Sequence, residues 1–166
     1  MTEVSGKLDA TGQAAGERGG DIAVLGQKVG LTGSAELDAS GMAGGGGIRV
    51  GGDYQGLNPD LRNAEMVTVL KGAHLAADAL DSGSGGRIVL WSDQGTRYYG
   101  AISARGGQQG GDGGFVEVSG KQNLDFQGAV DLSARLGASG RLLLDPLSIT
   151  IAEGGPNVDG TPGNDL

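Results

Sequence analysis

The aromatic residues of this sequence are few, and three of them fall together as Trp91, Tyr98 and Tyr99. Alternation along the surrounding stretch points Trp91 and Tyr99 outward and Tyr98 inward. Outward aromatic rings suit stacking on sugar faces, so Trp91 and Tyr99, with Tyr54 of an inserted stretch, are the candidate glycan contacts. For Trp91 the first expectation is nevertheless that this inserted stretch, at about 53–67 and one coil below, covers it, and the glycan reading comes second. The outward charged residues are Asp21, Glu117 and Asp125, with Arg49, Arg87 and Arg97. A polysaccharide lyase or hydrolase would need such groups to converge on one face. Alignment instead spaces them as solvated neighbours on adjacent strands, a pairing worth under about 1 kcal/mol.

His74 is the only histidine and there is no cysteine, so neither a transition-metal site nor a Ser-His pair is assigned. GGDGGFVEV around Asp112 resembles a calcium-binding nonapeptide in glycine content. Its aspartate comes early and the unit does not recur in tandem, so Asp112 reads as a turn residue. No catalytic, cofactor-binding or metal residue is assigned, and no enzyme activity is expected.

The elements that carry these residues follow from composition and period. Of 166 residues 36 are glycine, yet 37% are hydrophobic, which excludes a disordered tract. No G-X-Y period is present, which excludes collagen. The net charge of −8 argues against nucleic acid and anionic membrane surfaces as partners, and isolated RGG triplets read as turns. No apolar run is long enough for a membrane-spanning helix. MTEVSGKLDA has neither the basic nor the apolar region of a signal peptide, so in an exported protein this chain reads as an internal stretch.

GGDIAVLG begins at Gly19, GGGIRVGG at Gly45, GGRIVLWS at Gly85, GGFVEVSG at Gly113 and SGRLLLDP at Ser139. A period of about 26 residues recurs, lengthened once by the inserted stretch. Each repeat holds three short strands. The first supplies inward columns Ile22, Ile48, Ile88, Val116, Leu142 and Val24, Val50, Leu90, Val118, Leu144. The second supplies Val29, Thr68, Thr96, Leu124, Ile149 and Leu31, Leu70, Tyr98, Phe126, Ile151. The third supplies Leu8, Leu37, Leu75, Ile102, Val130, then Ala10, Ala39, Ala77, Ala104 with Leu132.

Three strands per period describe an all-β parallel β-helix, a solenoid of about five coils, over residues 1–153, with a tail or linker at 154–166. Glycine at each corner admits positive φ and lets stacked corners approach. A β-sandwich also alternates, but has no reason to keep aliphatics in register every period. Open edges at both ends predict a monomer that tends to associate end to end.

IRVGGDYQGLNP, HLAADAL, GGRIVLWSDQGT, SARGG, GGDGGFVEVSGK and LLLDPLSITI occur in this order. Together they resemble the filamentous haemagglutinin-like large exoproteins, the cargo of two-partner secretion. The resemblance covers roughly residues 19–151. It implies a right-handed parallel β-helix in a secreted, surface-associated bacterial fibre, often an adhesin. Its partner would be an outer-membrane β-barrel transporter. The family's secretion domain carries an NPNG-like motif, and the nearest match here is Asn58-Pro59-Asp60. The transporter-engaging domain is therefore expected outside this chain. The alternatives are a carbohydrate-active β-helix enzyme, or a passive stalk presenting a distant adhesive or toxin domain.

Overall fold

Short β-rich segments separated by glycine turns wind into three faces in the computed structural model, which describes residues 1–147. The strands are β1 (Thr2–Val4), β2 (Lys7–Asp9), β3 (Asp21–Val24), β4 (Lys28–Leu31), β5 (Glu36–Asp38), β6 (Gly47–Val50) and β7 (Ala64–Val69). They continue with β8 (His74–Ala76), β9 (Arg87–Tyr98), β10 (Ala101–Ser103), β11 (Phe115–Gly120), β12 (Asn123–Phe126), β13 (Ala129–Asp131) and β14 (Arg141–Leu143).

Every described strand pairing is parallel. The first face runs β3, β6, the front of β9, β11, β14. The second runs β1, β4, β7, the back of β9, β12. The third runs β2, β5, β8, β10, β13. The architecture is the expected parallel β-helix of about five coils. In the third full coil β9 passes from the first face to the second without interruption.

The first-face columns stand in the predicted register. Ile22, Ile48, Ile88, Val116 and Leu142 are consecutive partners, as are Val24, Val50, Leu90 and Val118. Leu37, Leu75 and Ile102 fill the third face, with Ala39, Ala77 and Ala104 beside them in the core. Leu8, Leu142 and Val130, at the ends of the described stack, are less covered.

The second face corrects one register. Val29 pairs with Val67 and Leu31 with Val69, which in turn face Thr96 and Tyr98. Thr68 and Leu70 are not the inward pair, and Leu70 is 44% exposed. In the other coils the last inward residue lies two positions before the corner glycine, as in Leu31–Gly33 and Tyr98–Gly100. Here Leu70 and Lys71 both separate Val69 from Gly72, so the coil carries one extra residue at that corner. Ile149, Ile151 and the 154–166 tail lie outside the described residues.

The corner entering the first face explains the paired glycines. A Cβ on Gly19, Gly45, Gly85 or Gly113 would overlap the carbonyl oxygen of Ala39, Ala77, Ala104 or Leu132. A Cβ on Gly46, Gly86, Gly114 or Gly140 would overlap a carbonyl oxygen of the preceding coil's glycine, from Gly20 to Gly114. None of these eight has positive φ. Close backbone approach, and not left-handed geometry, is what this corner requires.

Candidate binding face

The inserted stretch leaves the first face after β6 and returns at β7. Ala64–Val67 belong to β7, so the excursion is shorter than the predicted 53–67. Its base is closed by the Ala64 N–H donating to the Gly51 carbonyl. One 3-10 turn, Tyr54–Gly56, forms because Asp53 caps it: the carboxylate accepts from Tyr54 N–H at 2.8 Å and from Asn58 Nδ2 at 2.9 Å. Arg49 adds an ion pair to Asp53 at 3.6 Å. These donors hold the Asp53 carboxyl below its ordinary range, the Asn58 amide contributing most.

Trp91 lies beneath this loop and is 5% exposed. Its Nε1–H donates to Asp93 Oδ1 at 3.1 Å, and Asn63 Nδ2 donates to the same oxygen at 3.1 Å and to the Gly56 carbonyl at 3.0 Å. Gly56, at φ 63, sits where any Cβ would overlap the indole. The outward register of Trp91 is correct, and the inserted loop covers its ring, as expected first for this residue.

From there the loop leans along the solenoid axis. Gln55, a non-glycine residue at φ 52, donates its N–H to both Glu117 carboxylate oxygens at 3.1 and 3.3 Å. Its side-chain Nε2 reaches Asp145 Oδ2 at 3.2 Å. Glu117 faces outward as expected, between Val89 and Leu143, yet it is fully buried and not solvated. Burial raises its carboxyl above the ordinary value, and the Gln55 N–H only partly offsets this.

Tyr54 is 38% exposed and meets Phe115 edge-on, with ring centres 5.8 Å apart. The Arg87 guanidinium lies 4.9 Å from the Tyr54 ring centre and 5.4 Å from that of Phe115. Phe115 and Arg87 line an open groove of about 850 Å³ along the glycine corner, together with Arg18, Arg49 and Arg141.

Tyr99 stands apart, on the second face, donating its hydroxyl to Asp125 Oδ2 at 2.6 Å. Asp125 is in register with Arg97, as aligned, and also accepts from Gln127 Nε2 at 2.8 Å. The structure therefore places Tyr54 in the loop that covers Trp91 and leaves Tyr99 elsewhere. His74 is exposed on the third face. Asp112 Oδ1 accepts from the Ala138 N–H at 2.9 Å and pins a corner.

Two groups escaped the sequence reading. Buried Asp78 takes Arg105 Nη2 at 2.6 Å, Arg105 N–H at 2.7 Å and Ser103 Oγ at 3.1 Å, an ion pair between neighbouring coils. Phe115 was not singled out, although GGR, GGF and SGR place Arg87, Phe115 and Arg141 at one repeat position. The pairings confirm that column.

Three parallel faces, stacked aliphatic columns and a capped loop define a β-solenoid with one lateral arm. No protein-family model matches the chain, and no curated protein does. Among solved structures, the chain is similar to the HMW1 secretion domain from Haemophilus influenzae, with a TM-score of 0.67 and 30% sequence identity. The match covers 86% of this chain and 36% of that one, so the chain spans about a third of its neighbour's length. The likeness agrees with the exoprotein resemblance. It also finds such coils within a secretion domain, whereas the sequence reading set this stretch apart from one. No helix among the described residues is long and apolar enough to cross a membrane.

Proposed function

We propose that this chain is a β-solenoid segment of a secreted bacterial surface exoprotein of the filamentous haemagglutinin type, and that it serves attachment to cells or surfaces. The observation that carries the reading is the likeness to a secretion domain across 86% of the chain at 30% identity. Export through an outer-membrane two-partner transporter is part of the same reading. The loop and the groove beside it support an attachment role, because loops on a rigid scaffold are where binding groups concentrate. The test couples the purified chain to beads and scores their adherence to epithelial cells and to abiotic surfaces, against beads coated with an unrelated β-helix. Adherence above that control is expected. Equal adherence overturns the attachment role, and depolymerisation of a polysaccharide in the presence of calcium would replace it with an enzyme.

A further inference from the structure

The first-face groove has a chemistry of its own. Arg87, Phe115 and Arg141 occupy one register position on three successive strands. The two guanidinium-bearing positions are thus two strand spacings apart, about 9–10 Å, with an aromatic ring between them. Among the described residues neither Arg87 nor Arg141 makes an ion pair, and both are exposed. Tyr54 adds a second ring against Arg87.

The acids of the groove are otherwise engaged or distant. Asp53 is held by Arg49 and Asn58. Asp112 spends Oδ1 on the Ala138 N–H. Asp21 lies two strands below Arg87, with Gly47 between. Arg18 Nη2 reaches the Gly45 carbonyl at 3.3 Å at the lower end. A cationic, aromatic-floored upper groove thus sits on a chain whose net charge is −8.

From this arrangement we infer that the groove binds an extended polysaccharide carrying carboxylates, a polyuronate. The polymer lies along the solenoid axis, with sugar rings against Phe115 and Tyr54 and carboxylates on the Arg87 and Arg141 forks. A planar guanidinium matches a carboxylate through two parallel hydrogen bonds, and an aromatic face accepts the apolar side of a pyranose. The inference rests on the attachment reading and names its ligand class.

The test is calorimetric titration of the purified chain with oligogalacturonate, dextran oligomer and polyaspartate. Oligogalacturonate binds and dextran does not, with affinity falling as salt rises. Arg87→Gln and Arg141→Gln each weaken binding by about tenfold, while Arg97→Gln on the second face leaves it unchanged. Arg87→Lys keeps the charge without the fork and falls between. Thermal melts of each variant show that the solenoid is retained. Absence of oligogalacturonate binding, or equal losses from Arg97→Gln, overturns the inference. Equal affinity for polyaspartate with no effect of Phe115→Ala reduces the groove to a charge patch and overturns it as well. Adherent beads that ignore oligogalacturonate would sink this inference alone and leave the attachment role standing.

Discussion

Glu117 and Gln55 are 62 positions apart in sequence, yet one backbone N–H of Gln55 serves both oxygens of the fully buried Glu117 carboxylate. No cation replaces the water that Glu117 has lost: Arg87 contributes only a weak opposing influence, and Asp145 adds repulsion. Burial therefore outweighs the Gln55 and Ser119 hydrogen bonds and raises the Glu117 carboxyl above its ordinary value.

The pH dependence follows. A carboxyl raised by the fold binds its proton more tightly in the native state than in the unfolded chain. Its unfavourable contribution is absent below the ordinary glutamate range and grows as pH rises through that range to the raised native value. Melting temperatures of the parent should fall over this window relative to Glu117→Gln, which keeps an acceptor for Gln55 and carries no charge. Asp53 and Asp125, lowered by the fold, act in the opposite sense at more acidic pH and cancel in the comparison. Parallel melting curves for the two proteins from pH 4 to 8 would refute the assignment.

Val118 is fully buried between Leu90 and the last coil. Val118→Asp introduces an unpaired charge there, at a cost of several kcal/mol. Loss of the cooperative transition is expected in circular dichroism. Melting within a degree or two of the parent would place the core register one residue away.

The glycine ladder predicts a contrast. Gly86→Ala forces a methyl onto the Gly46 carbonyl oxygen and against Ala77 Cβ, 2.9 Å away. The expected loss is about 1–3 kcal/mol or more, as for an overpacked core. Gly6 has nothing within 4 Å of its Cβ position, so Gly6→Ala should change stability by less than about 0.5 kcal/mol. Denaturant titrations of both variants decide it.

Replacing residues 53–62 by a short Gly-Asn turn should leave the β-sheet signal and cooperative melting intact, because the coil closes at Gly51 and Ala64. Trp91 fluorescence should shift to the red as water reaches the indole, and the Glu117-linked pH dependence should vanish. Failure to fold would make the loop part of the core.

Both ends of the described stack present unpaired strand edges, β1, β2 and β3 below and β12, β13 and β14 above. The chain should be monomeric when dilute and should lengthen with concentration by stacking end to end. Light scattering that reports a fixed compact dimer at every concentration would count against this.

The sequence made the coil legible because each first-face strand is announced by glycine and then by alternating aliphatics, a local signal repeated five times. The same signal misled on the second face. Taking Gly72 as the ruler moved the inward pair from Val67 and Val69 to Thr68 and Leu70, since one extra residue at a corner leaves no local trace. The loop was visible as an interruption of the period, but its direction was not. Gln55 meets Glu117 and Asp145 through contacts between coils, and no pattern within the loop encodes them. Register put Trp91 and Glu117 outside, and the interrupted period already suggested that the insertion covers Trp91; nothing local encoded that Gln55 would cover Glu117 two coils on.

The arm also changes how the solenoid would bear force. Coils joined only by hydrogen bonds parallel to the axis carry tension in series, so the weakest interface gives way first. Gln55 ties the coil of β6 to Glu117 two coils on and to Asp145 three coils on. Tension across those coils is shared in parallel by the backbone ladders and this tether. Pulled along its axis, the described stack would then part first outside the coils this tether spans.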